Sequence, residues 1–596
     1  MNFQALLNSG RAFYDRYKSW CIEFFHWIEL NEVTGMLLLG GFVGVLGGFG
    51  AVVFRSLIDF FQALFFGVAE GPSFLSEVGK LSWYYRLVLP ALGGLIVGPI
   101  ITSIFKEGRA SGVPEVLESI VTREGAIRWR VIPLKTLVSS VTIGTGGSAG
   151  REGPIVQIGS AFGSAVGDFL DLSVQKLKTL IGCGAAAGIA GTFNAPLGGV
   201  LFSMEILLED FHVSHFSSIL VSSVVSTAIC QSYFGPSPAF DIPEYSAALS
   251  EMGFYMGLGL IGGLLGVTFI RTIYATEDLI STYSRIPESF QPAVGGILTG
   301  SIGLFLPYIY GVGYYAIEQA LKGNMSLALM LSLTAAKILS TNFTLGSGGS
   351  GGIFAPSLFV GAMMGGVYGN LVGWCFPGLV TRPESYALVG MGTVVAGTAH
   401  APLTAIILLF EMTQDYKVIL PLMFACIISS TLSQTLQDND IYLVKLVRRG
   451  LSIRGGKEEN LLEKIPVSEA METDVISIDQ SAGVDELREI FEDSHHTHFP
   501  VVDGRTSRVI GVINYMNYWD FIESIDETSL IVCRDMARTP AITVREDDTL
   551  LDAFNQITDF HVEILPVVAS EDGQTLVGIL SRNDIINTYN RYLRQS

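Results

Sequence analysis

Two glycine-rich stretches hold the residues with the most chemistry to offer: GTGGSAGREGP (144–154) and GSGGSGGIFAP (346–356). Each runs from a turn into an apolar segment, with Pro154 or Pro356 placed at a helix start. Proline fits the first turn because its missing N–H has no partner there anyway. The free N–H groups of such a start carry partial positive charge and bind anions. Two starts facing one another make an anion site without a full charge, so the anion can leave again. Glu152 puts a carboxylate into that setting. Ionised, it occupies the anion position; protonated, it swings out, which makes it a proton-dependent gate. The plainer alternative is a structural pair with the adjacent Arg151.

The elements that must hold these stretches are apolar. Charged residues make up 15% of the 596-residue chain, against about 25% in a soluble protein. Mean hydropathy is +0.46. Runs such as 35–54, 87–105 and 418–436 read as membrane segments rather than the core of a very apolar soluble enzyme. The acidic balance argues against a nucleic-acid partner. Residues 451–596 hold 27 acidic and 12 basic residues, so most of the net charge of −20 lies there. Lys445, Arg448, Arg449, Arg454 and Lys457 follow the last apolar run and place that end in the cytoplasm; Arg11, Arg16 and Lys18 place the N-terminus there too. An even number of full crossings follows. No removable signal peptide is expected. Six scattered cysteines without a CxxC predict neither a disulfide framework nor a zinc site.

The apolar part is a repeat. GIAGTFNAPL (188–197) and VVAGTAHAPL (394–403) share AGTxxAPL, and Glu205 and Glu411 each follow nine residues after the proline. Pro154 lies 42 residues before Pro196, and Pro356 lies 46 before Pro402. Paired Gly/Pro-interrupted segments in two halves point to a transporter site. Ile155–Phe169 and Leu197–Leu208 are too short to span the hydrocarbon, so broken helices are expected whose ends meet inside the membrane. Close helix packing is the alternative use of the glycines, as in GGFVGVLGGFG (40–50).

On these residues, about 30–450 resemble the CLC family of chloride channels and chloride/proton antiporters. GREGP (150–154) and GGIFAP (351–356) match its motifs directly; ASGVPEV (110–116) resembles its GSGIPE segment, and DIYLVKL (440–446) the segment with the pore tyrosine. The resemblance implies a homodimer with one pore per subunit, built from two inverted halves. It implies that Ser111 and Tyr442 offer hydroxyls to a central chloride, completed by the amides of Ile353 and Phe354. The amides of Arg151 and Glu152 line an outer site, Glu152 is the gate, and serine at 111 goes with chloride over nitrate. As ordinary residues, Ser111 would be a helix cap and Tyr442 an interface tyrosine.

One departure bears on mechanism. Proton-coupled members usually carry a second, inward-facing glutamate after APL, accompanied by a buried glutamate after GSGIP. Here Ile206 and Leu117 occupy those positions. Glu205 lies one residue away, but adjacent helical positions face about 100° apart. A structural partner near a helix end is the favoured reading of Glu205, as of Glu411. The sequence leans to a channel or loosely coupled pathway gated by Glu152. The alternative is an antiporter with a non-carboxylate inner proton path.

Residues 467–491 parallel 532–557, with Met471 matching Met536; HFPVVD (498–503) parallels EILPVVA (563–569), and 511–521 parallel 578–588. Each copy reads as helix, short strand, helix, two apolar strands, helix. This resembles a tandem pair of CBS domains, which implies an adenine-nucleotide site for ATP or AMP, or a pair that stabilises a dimer without ligand. Asp584 matches the ribose-binding aspartate, Asn517 holds the equivalent place, and Thr543 borders the cleft. His495, His496 and His498 read as surface histidines rather than a metal cluster.

The expected architecture is an all-α polytopic membrane protein with two inverted repeats and broken helices, plus a cytoplasmic α/β CBS pair. Its parts are an N-terminal cytoplasmic helix (1–30), a membrane domain (31–448, repeats about 31–235 and 250–448), a linker (449–465) and CBS copies at 466–528 and 529–596. A bacterial inner membrane is the expected location. No nucleophile–base pair, HExxH or P-loop points to an enzyme. A CBS-containing cation transporter is the remaining rival; it needs carboxylates along its path, where these motifs offer amides and hydroxyls.

Overall fold

The computed structural model describes residues 32–593 apart from 70, 105–111, 241, 243–248, 284–285, 381, 450–461, 463–464, 495–496, 516–517, 519–530, 538 and 561. The expected N-terminal helix (1–30), Ser111, Asn517, His495, His496 and most of the linker lie outside the described residues. The chain forms two compact units, Met1–Ile453 and Arg454–Ser596.

The first unit is helical. Its first half comprises α1 (Glu32–Phe66), α2 (Phe74–Lys80), α3 (Trp83–Ile104), α4 (Val113–Thr122), α5 (Val131–Gly144), α6 (Glu152–Phe169), α7 (Val174–Phe193), α8 (Pro196–Phe202) with a π-helical turn (Ser203–Leu208), and α9 (Val213–Phe234). The second comprises α10 (Met252–Tyr283), α11 (Gln291–Phe305), α12 (Tyr314–Leu321), α13 (Leu327–Gly346), α14 (Phe354–Cys375), α15 (Ser385–Ala399), α16 (Pro402–Thr413), α17 (Ile419–Leu436) and α18 (Leu443–Arg448). Among the described residues, seven helices are long and apolar enough to cross a membrane, by length and composition; four apolar ones of 10–17 residues are not. The short ones include α8 with its turn, α15 and α16, where the chain carries AGTxxAPL. There Asn194 and His400 turn left-handed (φ 57° and 52°), closing α7 and α15, and Pro196 and Pro402 open the next helix.

Helices approach so closely that only glycine fits. A Cβ on Gly159 of α6 would sit 2.0 Å from the Gly184 carbonyl oxygen of α7, and one on Gly184 would sit 1.9 Å from that of Gly159. Gly361 of α14 and Gly390 of α15 meet in the same reciprocal way, at 2.3 and 2.4 Å. In α1, Gly40 and Gly44 likewise press on the backbone of Ser218 and Ser222 in α9. Small residues let backbones pack where lipid provides no hydrophobic drive between helices. The outer face of α1 leaves Leu38, Phe42, Val53, Phe60 and Leu64 exposed, as a lipid-facing helix does.

The second unit contains two three-stranded sheets with the same plan. In one, β1 (Ile478–Asp479) pairs parallel with β2 (His498–Val502), which pairs antiparallel with β3 (Val509–Asn514). In the other, β4 (Val544–Arg545), β5 (Ile564–Val568) and β6 (Leu576–Ser581) repeat this, including the register irregularity at Val501/Val502 and Val567/Val568. Helices α19 (Val484–Asp493), α20 (Cys533–Met536), α21 (Leu550–Asp559) and α22 (Arg582–Leu593) pack around them. The copies are interlocked. Ile465 and Val467, at the start of the first copy, are buried in the second core with Val544, Leu550 and Leu565. Cys533 and Met536, which open the second copy, complete the first core with Ile478, Leu487 and Phe499.

Candidate functional site

The two glycine-rich stretches meet. Gly150 N donates to Gly352 O at 2.7 Å, and Gly352 N returns a bond to Gly150 O at 2.7 Å. This single antiparallel bridge satisfies irregular backbone at membrane depth, where water is absent. The turns before it are made by Gly146 (φ 95°) and Gly348 (φ 102°), a conformation that L side chains rarely adopt. Ser148 N donates to Thr344 Oγ1 at 3.1 Å, and Ser350 N to Thr142 Oγ1 at 3.3 Å. The hydroxyls of Ser139 and Ser350 pair at 2.8 Å, and those of Ser148 and Thr341 at 3.1 Å. Every bond has its mate in the other half.

The bridge sets the starts of α6 and α14 side by side, and α4 joins them: a Cβ on Gly112 would lie 2.7 Å from the backbone of Gly153. Arg151 and Ile353 are the N-caps, and Pro154 and Pro356 take the third helical position, where no N–H partner is lost. Glu152 is 1% exposed. Its Oε2 accepts from the Ala355 amide at 3.3 Å and its Oε1 from the Tyr314 hydroxyl at 3.0 Å. The carboxylate therefore sits on the positive end of α14, where an anion is favoured. Arg151 donates to Thr192 O at 3.3 Å and stacks over the Tyr314 ring at 4.8 Å.

Ile353 and Phe354 lie one turn or less from Ala355, and the Phe354 ring packs against Phe193 and Phe202. Tyr442 is buried in the same core cluster as Phe354. Asp440 Oδ1 holds its backbone by accepting from Tyr442 N at 2.6 Å and Leu443 N at 2.8 Å, which fixes the start of α18. A small cavity of about 30 Å³ is bordered by Pro114, Gly351, Ile353 and Lys445. Thus Arg151, Glu152, Ile353 and Phe354 are brought together as helix-start residues.

Ile206 and Leu117 are both buried in that core cluster, and α4 packs on the π-helical turn that carries Ile206. Glu205 is engaged elsewhere. Its oxygens accept from Leu403 N (3.1 Å), Thr404 N (2.6 Å) and the Thr404 hydroxyl (2.6 Å) at the start of α16. Glu411 accepts from Leu197 N (3.0 Å) and Gly198 N (2.7 Å) at the start of α8. Each carboxylate caps the short helix of the other half, a charge-assisted arrangement. The match of Glu205 with Glu411 signalled a structural pair; the exchange of partners had no sequence mark. Tyr314 follows an undistinguished GVG and carries no mark of its own in the sequence.

In the second unit, Asp584 lies in the first turn of α22, and its Oδ2 accepts from Ser581 N (2.9 Å) and the Ser581 hydroxyl (2.6 Å). Thr543 is half-buried just before β4. His498 opens β2, its Nε2 3.5 Å from a Glu563 oxygen, and burial lowers its basicity.

Comparison with known proteins places this geometry. Residues 93–434 match the model of a family described as voltage gated chloride channel, and 467–516 and 533–591 match the CBS domain. A putative chloride channel protein ClcB-like of Ralstonia nicotianae is 32% identical over 418 residues, covering 69% of this chain and 97% of that protein. The H(+)/Cl(-) exchange transporter ClcA of Citrobacter koseri is 32% identical over 421 residues, covering 69% and 88%. Among solved structures, a slow cyanobacterial Cl-/H+ antiporter is 27% identical with a TM-score of 0.62, covering 70% of this chain and 97% of that one. A eukaryotic CLC transporter has a TM-score of 0.66 over 94% of this chain and 98% of its own; at 20% identity it bears on fold alone.

Proposed function

The chain belongs to the voltage-gated chloride channel family and carries C-terminal CBS domains, and from that premise we propose that it moves chloride across a membrane in exchange for protons. The observation that carries this reading is the Glu152 carboxylate resting on the Ala355 amide. An ionised group of the protein occupies the place a chloride would take, so chloride entry and Glu152 protonation are two outcomes of one competition. Relatives named as exchange transporters support exchange over the channel to which the sequence leans. The second reading, passive chloride flow gated by Glu152, is favoured by the packed Ile206 and Leu117, which carry no protons, and by the capping duty of Glu205.

In this reading the amides of Ile353 and Phe354 and the hydroxyls of Ser111 and Tyr442 hold a central chloride. The amides of Arg151 and Glu152 serve an outer one. Ser111 sets chloride over nitrate. The protein works as a homodimer in a bacterial inner membrane with both termini in the cytoplasm. The exposed Leu197, Leu403, Leu420 and Ile427 suit a subunit or lipid contact. It is a transporter rather than an enzyme. The CBS pair takes ATP or AMP, with Asp584 on the ribose and Thr543 at the cleft. The test is reconstitution in liposomes under crossed chloride and pH gradients. A reversal potential that moves with the proton gradient establishes exchange; one fixed at the chloride potential establishes the passive pathway.

A further inference from the structure

The α14 start supplies one hydrogen bond to Glu152, and Tyr314 supplies another. This residue opens α12 directly after Gly311 and Gly313, both at positive φ (61° and 90°). The loop behind it is clamped. Buried Lys337 donates to Ile309 O at 3.1 Å and to Gly311 O at 3.0 Å, and lies 5.0 Å over the Phe359 ring. The Tyr314 ring packs under the Arg151 guanidinium and makes an edge-to-face pair with Phe240, ring centroids 5.4 Å apart. It also lines a cleft of about 270 Å³, bordered by Arg55, Asp59, Thr192 and Asn194. Tyr314 therefore both bonds Glu152 and borders that cleft.

The two donors on Glu152 are chemically unlike. The Ala355 N–H only donates and serves an ionised oxygen best. A phenol donates to a carboxylate and accepts from a carboxylic acid. When Glu152 takes a proton from hydronium in the cleft, leaving water behind, the amide contact loses its charge assistance. The tyrosine contact persists with its donor reversed. We infer that Tyr314 is the positioning residue of the gate: the pivot on which Glu152 leaves the α14 start and the group that keeps the protonated side chain toward the cleft. The inference rests on Glu152 being the gate and adds the direction of its movement.

The experiment is chloride efflux from liposomes holding the full chain, measured against pH for wild type, Tyr314→Phe, Glu152→Gln and the double variant. Tyr314→Phe keeps the ring and removes only the hydroxyl. A lost donor disfavours the ionised gate, so the midpoint of acid activation moves to higher pH by about one unit, a roughly tenfold lower proton concentration. In the Glu152→Gln background, where no gate titrates, the same change leaves efflux flat with pH. A Tyr314→Phe curve that overlays wild type while Glu152→Gln is flat overturns the pivot and spares the gate. Equal loss of efflux at every pH, in both backgrounds, makes Tyr314 a wall of the entrance and also overturns the pivot. Acid activation surviving in Glu152→Gln removes the gate and the pivot with it.

Discussion

At the start of α6 the chain reads Gly-Arg-Glu-Gly-Pro, and at the start of α14 Gly-Ile-Phe-Ala-Pro. The first supplies a carboxylate; the second supplies the amide that receives it. Around them the halves agree: Gly150 with Gly352, Ser148 with Ser350, Gly159 with Gly361, and buried Lys135 with buried Lys337. Helices α4 and α12 also correspond, each opened by a glycine N-cap at φ 88° and 90°. Ser111 precedes the first, and Tyr314 begins the second. In the proposed reading, a two-fold frame builds the anion position, and single-residue departures from the two-fold make it a switch. Symmetry alone would give a site with nothing to open or shut it.

Breaking the departure should have the largest effect. Glu152→Gln should leave chloride efflux in liposomes high and flat with pH and abolish proton movement. Retained pH sensitivity would remove Glu152 as the gate. Next, Ile206→Glu puts a carboxylate where the buried isoleucine stands. Under exchange, the reversal potential in crossed gradients should shift further toward the proton potential; a value still pinned at the chloride potential favours the passive reading.

Testing the symmetric part should cost stability and spare transport. Glu205→Gln weakens three charge-assisted hydrogen bonds and Glu411→Gln two, worth about 1.5–3 kcal/mol apiece at most, so both should lower the melting temperature of the purified protein, Glu205→Gln by at least as much. If Glu205→Gln alone reduced proton flux, the pair would be unequal and Glu205 a proton carrier. Ser111→Pro should then move anion preference from chloride toward nitrate in efflux assays; unaltered ratios would take Ser111 out of the pore. The smallest effect belongs to the CBS pair. Asp584→Ala removes an N-terminal cap worth about 1 kcal/mol and weakens ATP or AMP binding in calorimetry, where absence of binding to the intact protein would retire the nucleotide site.

Much of the frame was legible because glycine and proline act locally. Pro154, Pro356, Pro196 and Pro402 marked four helix starts, and the apolar runs around 35–54 and 87–105 marked α1 and α3. Other features depend on partners far along the chain and leave no local trace. Tyr314 meets Glu152 across 162 residues, and the Glu205 and Glu411 caps span 198 to 214. The interlocked CBS cores escaped for the same reason: linear repeats at 466–528 and 529–596 do not disclose that Val467 and Cys533 pack into each other's copy.

The exchanged caps of α8 and α16 also have a consequence for how the chain is made. Leu197 and Gly198 leave the ribosome some two hundred residues before Glu411 does. During that interval the first half sits in the bilayer with two amides and half of its glycine bridge unanswered, which hydrocarbon penalises. Neither half is a finished object. Biogenesis must shelter the first until the second arrives, and two separately expressed halves should be drawn together by the bonds each lacks.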